Sequence, residues 1–145
     1  MDHDQKKAQI ERIFDIFNRR AFDELDAVFH PDYVDHTPLG DLRGVAAFKD
    51  YVKEWLEAFP DGRFEVSNII VEGDLAAWQP RFVGTNTGSL MGMPATGKSV
   101  DVTGLHMGRL GDDDRPIEHW IGNDMLLTMQ QLGIVPDPTA AATPS

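Results

Sequence analysis

The chain has 145 residues, 24 acidic against 13 basic side chains, a net charge of −11 and no cysteine. That length makes one ordinary domain, which buries roughly two thirds of the surface its unfolded form exposes and needs no metal or disulfide staple. The acidic balance disfavours nucleic-acid backbones and anionic membranes; the missing cysteines exclude thiolate zinc, iron–sulfur clusters and thiol nucleophiles but leave the redox compartment open.

The opening "MDHDQKKAQIE" is charged from its second residue and has no apolar run of signal or membrane-spanning length, which predicts a cytoplasmic protein. Next, Ile10, Ile13, Phe14 and Phe17 fall at helical spacing and predict a first amphipathic helix. A short second helix is expected with Asp23 as N-cap and Leu25, Val28 and Phe29 inward. A third helix, "GVAAFKDYVKEWLEAF", carries Val45, Phe48, Val52, Trp55 and Phe59 on one stripe and stops at Pro60 and Gly62.

After residue 62 the period changes to two. "RFEVSNIIVEGDLAAWQPRFVGT" predicts two strands around "EGD", and "KSVDVTGLHMGRL" with "PIEHWIGNDML" predicts two more around "GDDDR". Pro80 predicts a bulge or an edge. Helices first and antiparallel strands second make an α+β fold, with a curved sheet wrapped over about three N-terminal helices. The expected folded unit is residues 1–135, and "PDPTAAATPS" at 136–145 reads as a disordered tail. A curved sheet over helices forms a cone whose lining suits an apolar ligand.

The ordered series "DYVDHTP", "FKDYVKEWLEAFPD", "VEGDLAAW", "GTNTG", "MGMPATGKSV", "VTGLHMGRL" and "IEHWIGNDMLLTMQQLG" resembles the SnoaL-like polyketide cyclases of the NTF2-like superfamily, over about residues 8 to 133. The resemblance implies a cone-shaped α+β barrel, commonly a homodimer, and a cofactor-independent intramolecular aldol ring closure on a bulky apolar, polyketide-like substrate. It also implies an acid/base aspartate, matched by Asp124, and a pocket histidine on the preceding strand, matched by His106. The chain departs from the relatives' pattern at Asn86 and at Gln79-Pro80.

Hairpin register decides which of these residues meet, because directly paired residues share a face. If Leu110 pairs with Pro116, His106 faces Trp120 and shares a side with Asp124, about 13 Å apart at roughly 3.3 Å per residue. If Leu110 pairs with Ile117, Asp124 joins Thr103 and Asp101, while His106 joins His119 and Asn123 on the other side. The second register, with Arg81 or Arg109, would resemble the Asp-Arg-Asp site of limonene-epoxide-hydrolase-like enzymes. The first is preferred, since the resemblance puts a histidine with the aspartate.

Asp124 is thus the expected base, although Asp is also a favoured N-cap for the closing helix. His106 and His36 are the expected partners in proton transfer or enolate binding. Trp120, Trp55, Phe14, Phe17, Trp78, Met91 and His119 are candidates for contact with a small apolar or polycyclic ligand. "GSLMGMPATGK" reads as a flexible lid. No histidine pair has helical metal-ligand spacing, so no metal is expected, and the resemblance implies no cofactor. The other readings are an epoxide hydrolase using Asp101 and Asp124, and a non-catalytic module that binds a hydrophobe.

Overall fold

In the computed structural model, which describes residues 1–136, helix α1 (His3–Arg19) starts at Asp2. The Asp2 side chain accepts from the Gln5 amide and the Gln5 side chain caps Asp2 in return, a reciprocal capping box. Arg20 ends the helix in the left-handed conformation, φ 59°. A 3₁₀ turn at Phe22–Glu24 leads into α2 (Leu25–Val28). Asp23 lies inside that turn and caps nothing, because the tight turn already begins at Phe22. Most of the expected tail, 137–145, lies outside the described residues.

The segment after α2 forms a hairpin absent from the sequence expectation, β1 (Val34–Thr37) and β2 (Gly40–Arg43). Helix α3 (Val45–Ala58) follows, burying Phe48, Val52 and Leu56. The long strands β3 (Arg63–Glu72) and β4 (Leu75–Thr85) turn where "EGD" predicted. The next segment is split by Gly104 and Leu105 into β5 (Ser99–Thr103) and β6 (His106–Leu110), which both pair with β4. Strand β7 (Pro116–Trp120) and helix α4 (Met125–Gln131) close the fold.

Seven strands make one curved, unclosed sheet in the order β2-β1-β7-β6-β4-β3, with β5 also on β4. Pro80 is central rather than at an edge, and the expected irregularity lies beside it, where the β3 register shifts between Ser67 and Ile70 opposite Gln79 and Ala77. Pro80 itself lies where β4 changes partner, from β6 up to Trp78 to β5 from Arg81, so its missing N–H falls in a gap of the ladder. The sheet's concave face packs on α1 and α3 through Phe14, Phe17, Phe48, Phe59, Phe64, Phe82 and Trp78. No helix among the described residues is long and apolar enough to cross a membrane.

The β6–β7 hairpin decides the site. Leu110 pairs with Pro116 as preferred above, but a bulge follows, and Arg109 pairs with Glu118, Gly108 with His119 and Met107 with Trp120. One extra residue on β7 moves every later side chain to the other face. His106 and His119 therefore turn inward together, while Trp120 turns out.

Candidate active site

Four polar side chains form a chain across the apolar concave wall. Asp35 on β1 lies opposite His119 on β7, a parallel pairing. His106 opens β6 opposite Trp78 on β4. Strand alternation brings Asp35, His119 and His106 to one face. Asn123 arrives from the loop after β7, where Leu105 N–H bonds Gly122 C=O at 2.9 Å. Gly122 is needed there because a Cβ would sit 2.3 Å from the Leu105 carbonyl oxygen.

His106 Nε2 is 2.8 Å from Asn123 Oδ1, and His106 Nδ1 is 3.2 Å from His119 Nε2. On the far side, His119 Nδ1 is 3.1 Å from Asp35 Oδ1, an ion-pair distance without the alignment of a full hydrogen bond. Asp35 is completely buried, while His106 and His119 keep small exposed edges of 8% and 9%. The Trp78 ring lies flat on His119 at 5.3 Å and 7°, which holds the imidazole in plane.

Burial and the adjoining His119 push His106 down to about 3, against the contact with Asn123. His106 is thus a neutral imidazole at ordinary pH. Burial, with Asp35's charge behind it, raises Tyr33 well above the usual phenol range and takes Tyr51 to about 12, so both phenols stay protonated.

The cone contains two lobes. The front lobe is lined by Tyr51, Trp55, Phe64, Val102, His106 and Asn123, and the back lobe by Ile10, Ile13, Val71, Ala76, Trp78 and Gly108. Phe14, Phe17, Phe48 and His119 line both and form the wall between them. Counted with the space at their mouths, the lobes measure about 730 and 630 Å³. A vestibule beyond the front lobe shares Tyr51, Trp55 and Met125 with it and adds Leu39, Leu90 and Met91.

Of the sequence candidates, His106, Trp55, Phe14, Phe17 and His119 meet at the front lobe. Trp78 lines the back lobe instead, and Met91 is half-exposed at the vestibule. Asp124 is at the front lobe's rim, but it is exposed and its Oδ1 accepts the Leu127 amide at 3.0 Å as the N-cap of α4. The expectation of a sequestered Asp124 carboxylate is corrected by that cap, since the strand ends at Trp120, before the aspartate.

His36 and Trp120 are also corrected: both lie on the convex face, stacked on each other at 5.5 Å. His36 bonds Glu118 and Asp41, each at 2.8 Å, and these two carboxylates raise its pKa, Glu118 the more strongly. Asp101 pairs with Arg81 at 2.7 Å on the same outer side, half-exposed, and the pair holds its carboxyl below the usual range. The Asp-Arg-Asp arrangement of an epoxide hydrolase is therefore not assembled around the cone's interior.

Sequence reasoning missed Asp35, and it put Asn123 with His106 and His119 only in the register it did not prefer. Asp35 stands in "YVDHTP", beside the histidine that was singled out, and alternation alone puts the two on opposite faces. Among the described residues no group of three or more His, Asp or Glu side chains could hold a metal ion.

The fold and site define a cone-shaped α+β protein with an acid/base chain set into the wall of an apolar pocket. A profile of the SnoaL-like polyketide cyclases matches residues 8–132, and the chain belongs to that family. Among solved structures it is similar to TsrD from Streptomyces laurentii, with a TM-score of 0.84 and 25% identity over 93% of this chain and 99% of that one. AclR from Streptomyces galilaeus, provisionally assigned as a hydroxylase, gives 0.83 and 26% over 97% and 88%. IdmH from Streptomyces antibioticus, provisionally assigned as a polyketide cyclase, gives 0.77 and 30% over 89% and 99%. The comparison with curated proteins finds no match.

Proposed function

We propose that the protein is a cofactor-independent acid/base enzyme that closes a ring by intramolecular aldol addition on an apolar, polyketide-like ketone. The observation that carries this reading is the Asp35–His119–His106 chain, buried at one end and reaching the front lobe at the other.

Counting protons gives the mechanism. With Asp35 as the final charge partner, His119 carries its proton on Nδ1, 3.1 Å from Asp35 Oδ1, and accepts the Nδ1–H of His106 at Nε2, which leaves the Nε2 lone pair of His106 toward the lobe. A half-turn of the Asn123 amide lets its NH₂ rest against that lone pair. Substrate replaces Asn123, and Nε2 takes a proton from the carbon beside a carbonyl. The resulting enolate attacks a second carbonyl carbon, a carbon–carbon bond forms, and the new alkoxide takes the proton back from Nε2. The temporary positive charge is shared along the imidazoles toward Asp35. Burial holds the His106 imidazole at about 3, a weak base, so the abstraction depends on Asp35 behind His119 to stabilise the imidazolium, and the proton then returns readily to the alkoxide.

The front lobe is narrow, with about 80 Å³ of room for the centre of a water-sized sphere, so the reacting end of the substrate enters it and the rest of a ring system lies in the vestibule. The Asn86 side chain anchors the vestibule loop: its NH₂ donates to the Ala58 and Gly88 carbonyls and its Oδ1 accepts from Thr96. Pinned at that base, the loop carrying Met91 acts as the lid. Two copies pair across the convex face, where Met107 is exposed beside Trp120.

Solvent-deuterium exchange at the α-carbon of acetophenone tests the reading without the natural substrate. The protein should accelerate exchange, and His106→Gln should lower the acceleration at least ~10²-fold, the usual size of a general-base effect. Undiminished exchange in that variant removes His106 from the mechanism.

A further inference from the structure

The back lobe has no part in the proton transfer, yet it touches the same His119. Two small residues, Ala76 and Gly108, pair across β4 and β6 in its lining, and Gly108 lets the Trp78 ring lie close against the strand. A Cβ on Gly108 would come within 2.9 Å of the Trp78 ring.

Most polar groups around this lobe are partnered within the protein, and His119 Nδ1, which lacks a full hydrogen bond, is buried away from any guest. Lys6 donates to the Gly73 carbonyl, Gln9 to the Asp114 carbonyl, Arg109 bridges to Asp74 and approaches Glu118, and Glu118 bonds His36. The indole nitrogen of Trp78 has no partner but is sealed from contact with any guest. A polar occupant would lose its water and gain nothing in exchange. Hydrocarbon is the chemistry left, and a slender form of it, since the wall toward the front lobe is made of phenylalanine rings in contact, Phe14 to Phe17 at 5.5 Å and Phe17 to Phe48 at 6.0 Å.

We propose that the back lobe is a subsite for an unbranched alkyl tail of the same substrate whose carbonyl end reaches His106, with the tail passing beside His119 when the Phe14–Phe17 or Phe17–Phe48 contact opens. This rests on the front lobe being the reaction chamber. The lobe has about 60 Å³ of room for the centre of a water-sized sphere. At about 10–15 Å³ per water-sized group, it takes a tail of about four to six carbons.

The test is calorimetric binding of a homologous series of n-alkyl phenyl ketones, from acetophenone to octanophenone, to the full chain. Each added methylene should tighten binding roughly fourfold, from about 0.8 kcal/mol per buried methylene, until about the fifth, after which affinity levels off. Ala76→Leu and, independently, Ile13→Phe fill the back lobe only and should bring the plateau to shorter chains with acetophenone binding unchanged. Methylene increments that are the same in both folded variants as in the natural chain, or no dependence on chain length while acetophenone still binds, overturns the subsite and leaves the proposed reaction standing. Failure of every ketone to bind overturns the reaction chamber as well.

Discussion

His106 should make the fold acid-sensitive by a definite amount. An unfolded histidine titrates near 6.5, and burial beside His119 holds the folded one at about 3. Between those values the unfolded chain binds the more protons, so stability rises with pH across the window: it is fully present above about 6.5 and is lost as the pH falls toward 3. A difference of about three and a half units, at about 1.36 kcal/mol each, amounts to about 5 kcal/mol over the whole window, of which about 2 kcal/mol is lost by about pH 5. Urea unfolding at about pH 7.5 and about pH 5 reads this as a midpoint shift on the order of 1 M, given a slope of about 1–3 kcal/mol per molar. His106→Gln keeps a side chain that can donate to Asn123 but does not titrate, and should lose that part of the shift. His36 titrates in the opposite sense. Glu118 and Asp41 raise its pKa, so its stabilisation is present below about 6.5 and is lost as the pH rises through the raised value. His36 is the same in both proteins and cancels. An equal midpoint shift in the natural chain and in His106→Gln would refute the claim that His106 is buried neutral.

Asp35→Asn preserves shape but removes the charge that balances a proton on the imidazoles, so ketone exchange should fall at least ~10²-fold with circular dichroism unchanged; full activity would disconnect Asp35 from the chemistry. Asp124→Ala removes a helix cap and should cost about 1 kcal/mol in thermal or urea unfolding, while exchange stays within about twofold; a loss as large as that of His106→Gln would restore Asp124 as the base. Met107→Glu places a charge on the convex face and should convert a dimer to a monomer by light scattering; a natural chain that is already monomeric counts against pairing there.

The helices were legible because a stripe such as Ile10, Phe14 and Phe17 is a local pattern, and one amphipathic helix can satisfy it in one way. The long hairpin over β3 and β4 was legible for the same reason, with alternation on both sides of a glycine turn. The site was only partly readable. Its geometry depends on a single extra residue between the Leu110–Pro116 and Arg109–Glu118 pairs, and nothing in "GDDDRPIE" announces a bulge. Asp35 enters through a parallel pairing of residues 34–36 with 118–120, a contact across more than half the chain that no local period encodes. His106 was found through family resemblance, and its true neighbours, His119 and Asn123, belonged to the register that was set aside. Asp124 fitted both an active-site aspartate and a helix cap, and in the structure its side chain is taken up by the helix end.

A crystal structure with a bound alkyl phenyl ketone tests the central claim most directly. The account predicts the ketone's oxygen or α-carbon within hydrogen-bonding reach of His106 Nε2, with the Asn123 contact broken and the alkyl chain directed past His119. A ketone lodged against Asp124, with the His106–Asn123 contact intact, would contradict it.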